Sequence, residues 1–183
     1  MSQSSPDCMA PPTAVQCTSS DPSIPLDCRA LRNTLGRFAT GVAVVTAVDP
    51  DGHPVGLTVN SFAAVSLNPP LVLWSLANAS GHLEAFRRAS HHCINILAAD
   101  QEDISNRFAT WPVDRFAGLA WHPGLGGAPR LDGCCAHFEV RNDIQHPGGD
   151  HLIFILRVEG FDEAPERAPL VFHGGRYRHL ADL

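Results

Sequence analysis

Residues 54–77 read PVGLTVNSFAAVSLNPPLVLWSLA, and three short runs lie inside them: PVGLTV (54–59), FAAVSL (62–67) and LVLWSLA (71–77). Each is rich in β-branched or large apolar residues and is cut off by turn formers, first Asn60-Ser61 and then Asn68-Pro69-Pro70. Runs this short with such boundaries predict strands rather than helices. LVLWSLA is apolar on both faces, which predicts a buried strand. One step upstream, VAVVTAV (42–48) leads into DPDGH (49–53), where Pro50 sets one φ angle and Gly52 permits the reversal. The segment therefore reads as a succession of antiparallel strands joined by tight turns.

The same pattern continues outward. HCINILA (92–98) reads as a strand, and CCAHFEVRNDIQ (134–145) and HLIFILRVEGF (151–161) read as two long strands around a Gly-Gly turn. PLVFHGGRYRHL (169–180) predicts a terminal hairpin. Short helices fit between them. Asp27 is placed to cap one that carries Leu31, Leu35 and Phe38 on one face and stops before Gly41. Ser80 is placed to open a second, with Leu83 and Phe86 inward, and DQEDISNRFA (100–109) gives a third. Trp111 to Gly133 is rich in Gly and Pro and reads as a long ordered excursion. Six to eight strands with two or three short helices predict a mainly β fold, a closed antiparallel barrel, over a doubly wound sheet. Residues 1–28 hold five prolines and no arginine, which predicts a flexible tail ahead of one domain spanning 29–183.

Composition narrows the chemistry. The chain has 183 residues, and its 13 basic side chains are all arginine, because no lysine occurs. Schiff-base lysines, a Walker lysine and Ser-Lys nucleophile pairs are excluded. A net charge of −6 argues against a nucleic-acid partner. No apolar run reaches membrane-spanning length, and the N-terminus lacks the basic start and apolar block of a secretory signal, so the expectation is a cytoplasmic protein without a membrane partner. Six cysteines, at 8, 17, 28, 93, 134 and 135, form no CxxC pair and read as reduced thiols.

Three places offer chemistry. The strand-to-helix step Trp74 to His82, rich in small and hydroxyl residues, presents amide donors suited to a phosphate, although Ser80 as a plain helix cap explains the spacing equally well. Leu57 to Phe62 interrupts two apolar strands with polar groups, and backbone amides at such a break can meet the edge of a flat heterocycle. Gly149-Asp150-His151 sets a histidine at the mouth of a hairpin. Gly124-Leu125-Gly126-Gly127 begins like a dinucleotide loop, but Pro129 takes the third glycine's place, so a Rossmann domain is not expected. There is no GxSxG elbow. His137 and Glu139 share a strand face, with His91-His92 or His146 as conceivable neighbours, yet no HxH or HxxxH pair supports a metal, and none is assigned.

Taken in order, RNTLGRFATGVAVVT (32–46), GLTVNSFAAVSLNPPLVLWSL (56–76), CINILAADQEDISNRFA (93–109), GAPRLDG (127–133), GGDH (148–151) and PLVFHGGRY (169–177) resemble the short-chain flavin reductase family, the reductase components of two-component flavin-dependent monooxygenases. The likeness runs from about Arg29 to Leu180. It implies a split β-barrel homodimer that binds FMN or FAD, oxidises NADH or NADPH, and passes reduced flavin to a flavin-dependent oxygenase. By the same resemblance Thr58, Val59, Asn60 and Ser61 line the isoalloxazine ring, with Thr40 near it. Ser75, Leu76, Ala77 and Ser80 serve the ribityl chain and phosphate, with Arg107 and Phe108 nearby, and His151 borders the nicotinamide. Where many relatives place a basic residue near the phosphate, this chain has Ala79, Ser80 and His82, so a protonated His82 becomes the expected substitute. Phe138-Glu139 and Leu156-Arg157 also depart from the family pattern and bear on nicotinamide preference. A non-catalytic flavin carrier or sensor on the same barrel is the alternative reading, and a metal-dependent barrel oxygenase a third.

Overall fold

The computed structural model describes residues 26–110 and 114–180. The predicted tail therefore lies almost wholly outside the described residues. Among these residues three α-helices, α1 (Cys28–Leu35), α2 (Leu83–Arg88) and α3 (Glu102–Ala109), accompany twelve strands: β1 (Thr40–Gly41), β2 (Ala43–Val48), β3 (Pro54–Val59), β4 (Ala63–Leu67), β5 (Pro70–Ala77), β6 (His91–Ile96), β7 (Trp121–Pro123), β8 (Pro129–Leu131), β9 (Ala136–Gly148), β10 (His151–Glu163), β11 (Val171–His173) and β12 (Arg176–Arg178). The seven longer strands form one antiparallel sheet in the order β3-β2-β6-β9-β10-β5-β4. Five shorter ones complete a three-stranded β1-β11-β12 sheet and a β7-β8 ribbon.

Closure follows from connectivity. The two edge strands, β3 and β4, are consecutive in the chain and joined only by Asn60, Ser61 and Phe62. A link that short reaches at most about 14 Å, so the seven-stranded sheet has to curl until its edges meet. The expected barrel is thereby formed.

The interior of the barrel is built on Trp74 of β5. Its indole stacks on Phe154 of β10 at 4.7 Å and 11° and meets Phe86 of α2 edge-on at 5.0 Å, both favourable aromatic geometries. A second cluster, including Val44, Leu97, Phe108 and Leu170, lies on the opposite side of β2. Alternation along β2 explains why both clusters need it: Ala43, Val45 and Ala47 belong to the first and Val42 and Val44 to the second.

Several expectations need correction. β5 is not buried on both faces: Val72, Trp74 and Leu76 are buried, while Leu71, Leu73, Ser75 and Ala77 are half-buried. Asp27 does cap α1, its Oδ1 accepting from the backbone N–H groups of Arg29 (2.8 Å) and Ala30 (3.2 Å). However, the helix ends at Gly36 rather than near Gly41, and Leu31, Leu35 and Phe38 are 41%, 66% and 78% exposed. α2 begins at Leu83, not Ser80. Cys28 is disulfide-bonded, contrary to the reduced-thiol reading; Cys93, Cys134 and Cys135 are free.

His92 is fully buried beside Trp74. Indole Nε1–H donates to His92 Nδ1 at 3.3 Å, so the imidazole carries its proton on Nε2, which donates to the Phe86 carbonyl at 3.0 Å. Burial pulls the pKa of His92 from 6.5 down to about 4. Above 6.5 folded and unfolded chains are both neutral at this residue, and the contribution to stability is complete. As pH falls from 6.5 toward 4 the unfolded chain binds a proton that the folded chain refuses, so stability is lost across that window and levels off below it. Denaturation by urea at pH 7, 6, 5 and 4 should show a slope of up to about 1.4 kcal/mol per pH unit that is missing in His92→Gln. Parallel pH profiles for the two proteins would remove His92 from the account.

Candidate functional site

The short link that closes the barrel is fastened by one of its own side chains. Ser61 Oγ accepts from Ser75 N–H and donates to the Ser75 carbonyl, both at 3.1 Å, so one hydroxyl fastens the link to β5. Thr58, Val59 and Asn60, just before it, line a cavity of about 210 Å3 whose far wall is Ser105, Phe172 and Tyr177. Thr58 Oγ1 donates to the Ser105 carbonyl at 2.7 Å, and the Ser105 and Tyr177 hydroxyls lie 2.8 Å apart. Tyr177 O–H also reaches Asn106 Oδ1 at 3.2 Å. Asn60 and Phe172 in turn line a larger cavity of about 740 Å3 that includes Thr40. The two spaces therefore share a wall.

On the other side of Ser61, the end of β5 lies against the start of β10. Ser75, Leu76 and Ala77 pair with Ile153, Leu152 and His151. The turn before His151 is held by Asn78, whose N–H donates to the Asp150 carbonyl at 2.8 Å. Gly149, at φ 65°, supplies the left-handed backbone that the turn demands. His151 Nδ1 lies 2.7 Å from Asp150 Oδ1, and that hydrogen bond holds the Asp150 carboxyl below its usual range. With Nδ1 engaged, Nε2 is the ring nitrogen left to face a ligand.

The phosphate end differs from expectation. Ser80 Oγ accepts from His82 N–H at 3.3 Å, closing a turn ahead of α2 rather than capping it. Arg115 NH1 donates to His82 Nε2 at 3.0 Å and to the Gly56 carbonyl of β3 at 2.8 Å. Burial first, and the adjacent guanidinium second, push the pKa of His82 down. His82 is thus a neutral acceptor, and the positive charge beside it is carried by Arg115. Arg115 lies in the Gly- and Pro-rich excursion, where nothing in the local sequence distinguished it. The guanidinium of Arg107 instead donates to the Ala117 carbonyl. Phe108 is fully buried against Phe116 and the backbone of Gly56, where a Cβ would meet its ring at 2.6 Å. It backs β3 from behind and does not line the cavity.

Groups outside this seam are engaged structurally. His137 Nδ1 meets Asp162 Oδ1 at 2.9 Å and Nε2 donates to the Leu131 carbonyl at 2.8 Å, while Glu139 accepts from Arg130 and from the N–H of Leu125. These bonds tie the β7-β8 ribbon to the barrel, and the Gly124–Gly127 segment is a single 3-10 turn within it. Burial raises the thiol pKa values of Cys93, Cys134 and Cys135, that of Cys134 to about 12, so none supplies a thiolate at neutral pH. Asp49, Asp51 and His53 gather in the β2-β3 turn, where Asp49 accepts from backbone N–H groups.

Residues 35–181 match the flavin reductase like domain. The chain belongs to that family. It is 47% identical over 152 residues to the FMN reductase (NADH) SmoA of Agrobacterium fabrum, covering 81% of this chain and 84% of the relative. It is 41% identical over 152 residues to the flavin-dependent monooxygenase reductase subunit HsaB of Rhodococcus jostii, covering 83% and 77%. Among solved structures, the NADH:FAD oxidoreductase SgcE6 of Streptomyces globisporus, in complex with NAD and FAD fragments, superposes with a TM-score of 0.81 at 36% identity, over 90% of this chain and 98% of that one. Nitrilotriacetate monooxygenase component B of Mycobacterium thermoresistibile gives 0.80 at 41% identity, over 84% and 86%. The protein is thus a flavin reductase-type oxidoreductase with the split-barrel fold of this family.

The assignment of charge at the phosphate end is measurable. In Arg115→Met, the imidazole titration of His82, followed by NMR, should move upward toward its ordinary value, because the smaller of its two perturbing influences is gone while burial remains. An unchanged titration would mean that the guanidinium exerts no field at His82.

Proposed function

We propose that the protein is an NAD(P)H:flavin oxidoreductase that moves a hydride from reduced nicotinamide to FMN or FAD and supplies the reduced flavin to a separate flavin-dependent oxygenase. The observation that carries this reading is the seam at which Ser61, just after Thr58–Asn60, is hydrogen-bonded to Ser75 of β5, and the β5-β10 register sets His151 opposite Ala77. The likeness to SmoA, an FMN reductase (NADH), and to HsaB, a reductase subunit of a flavin-dependent monooxygenase, supports it from outside the chain.

The residues present fit a flavin. A cavity lined by Thr58, Val59 and Asn60 on one side and by Ser105, Phe172 and Tyr177 on the other offers polar groups and apolar surface to the edge and faces of such a ring. Ser80 and Arg115 stand where a phosphate would need donors in a chain without lysine. When bound, the flavin supplies the hydride acceptor, so no protein nucleophile or strong base is required. What the chain contributes is position. Thr58 to Ser61 and Ser75 to Ala77 hold one ring, and His151, oriented by Asp150, stands at the rim to place the second ring against it and exclude water. Thr40 belongs to the same region through the shared Asn60 wall.

The homodimer is part of the proposal. Leu31, Leu35 and Phe38 on and just after α1, and Val65 and Leu67 on β4, are large apolar groups left facing outward, as a surface between two copies would be. Light scattering of the purified chain should give twice the mass of the 183-residue protomer, and a monomer at micromolar concentration would discard the dimer while leaving the activity open.

Steady-state oxidation of NADH and NADPH with FMN and with FAD tests the reaction. At least one pair should turn over catalytically; no turnover with any pair would leave the non-catalytic carrier. His151→Ala should slow flavin reduction by about ten- to a hundredfold with a smaller change in flavin affinity. Equal losses would make the histidine structural.

A further inference from the structure

The smaller cavity, about 210 Å3, has its near wall on β3 and its far wall on two other elements, Ser105 of α3 and the β11-β12 hairpin that carries Phe172 and Tyr177. This hairpin lies outside the seven-stranded sheet. It is held at its base, where Leu170 N–H donates to the Leu97 carbonyl at 2.8 Å, and by the two-residue strand β1. β12 is the outer strand and pairs, among the described residues, with β11 alone. The turn, Gly174-Gly175, has no side chain with which to anchor it and is tied by Gly174 N–H to the Gly36 carbonyl at 2.9 Å. Arg176 and Arg178 are exposed, so the half-buried side chain of β12 is Tyr177.

Three contacts of Tyr177 converge on the cavity. Its ring meets Phe172, its cross-strand partner, edge-on at 5.5 Å and 68°. Its hydroxyl donates to Asn106 Oδ1 at 3.2 Å, so in the 2.8 Å bond to Ser105 the serine hydroxyl donates to the tyrosine oxygen. Ser105 is fully buried, and its carbonyl accepts from Thr58 Oγ1 at 2.7 Å. One residue of α3 thereby fixes both walls: its carbonyl holds Thr58 of β3, and its hydroxyl holds Tyr177 of β12. A buried hydroxyl that loses its acceptor is costly, which makes the Ser105-Tyr177 bond a firm one.

We propose that Tyr177 is a positioning residue for the flavin ring: bound to Ser105, its hydroxyl sets the distance between the β11-β12 hairpin and the wall formed by Thr58, Val59 and Asn60, and with it the width of the slot in which the ring lies. The inference deepens the preceding reading, which takes this cavity as the place of the ring. Width matters because hydride transfer needs two rings held near contact.

Tyr177→Phe deletes the hydroxyl and keeps the ring on Phe172. Riboflavin and FMN share the isoalloxazine and differ in the phosphate, and both are titrated onto the full chain by fluorescence quenching. Each should bind the variant about fivefold more weakly than the parent, with a matching thermal melt. Ser105→Ala removes the other end of the same bond and should have the same effect, and the double variant should be no weaker than either single one. Tyr177 is the only tyrosine in the sequence, so tyrosine labelled at Cζ gives a single NMR signal in the parent, which should move as riboflavin saturates the site. Unchanged affinity in Tyr177→Phe, a loss confined to FMN, additive losses in the double variant or a tyrosine signal that riboflavin leaves in place would each overturn the role. A lowered melt with ring affinity intact would make the tyrosine structural and overturn it as well. NADH oxidation separates this inference from the one beneath it. If the parent oxidises NADH and Tyr177→Phe matches it in kcat and in the KM for flavin, only the role of Tyr177 fails. If flavin binds as described and no nicotinamide is oxidised, only the reductase reading fails. A parent that binds neither flavin would overturn both.

Discussion

The barrel depends on a geometric constraint: the two edges of a seven-stranded sheet are joined by three residues. No flat or gently twisted sheet satisfies that connection, so the sheet curls and brings its edge strands β3 and β4 together without a ladder between them. Closing a barrel at a link rather than by strand pairing leaves backbone N–H and C=O groups without ladder partners. Some are satisfied within the protein, as at Ser75 by the Ser61 hydroxyl. Asn60, within the link, lines the cavities on both of its sides. The constraint that makes the fold is therefore also what makes the site.

This origin explains why the site is poor in ionisable groups. The seam presents amides, carbonyls and small hydroxyls because strand ends supply those, and the core behind it admits little else: Phe108 presses on the backbone of Gly56 so closely that only glycine fits there. Charge enters from outside the barrel. Arg115 comes from the loop after α3 and bridges His82 to the Gly56 carbonyl, joining the β5-α2 turn to β3 with one guanidinium. A single arginine with several N–H donors can make such a bridge, whereas a lysine has no planar fork to direct at two elements.

Much of this was legible because short β-branched runs bounded by Pro, Gly and Asn leave few alternatives to antiparallel strands. The seven long strands were foreseen, as were the turn at Gly149 and the Asp27 cap, each having a local cause in the sequence. Errors arose where the cause was not local. Ser80 has the chemistry of a helix cap, but the Ala77 carbonyl captures its N–H, and the helix starts three residues later. LVLWSLA looked buried throughout because its apolar content is high on both faces, while burial itself depends on what lies opposite, and only the Trp74 face meets the core. Arg115 carried no signal, since an arginine in a Gly- and Pro-rich stretch resembles any solvated one. Ser105 and Tyr177 meet across 72 positions of sequence, a pairing that periodicity has no means to express.

The distribution of arginine gives a reason for the acidic balance of the chain. With paired arginines spread over β8, β9 and β10 and neutralised there, the long hairpin contributes little field of its own. Arg29, Arg32, Arg37, Arg176 and Arg178, on α1, on the loop after it and on β12, have no carboxylate partner among the described residues, so positive charge gathers at that end of a net negative molecule. A uniformly basic surface would hold phosphate-bearing ligands at many places and slow their exchange. Concentrating the unpaired charge at one end confines such attraction to that end.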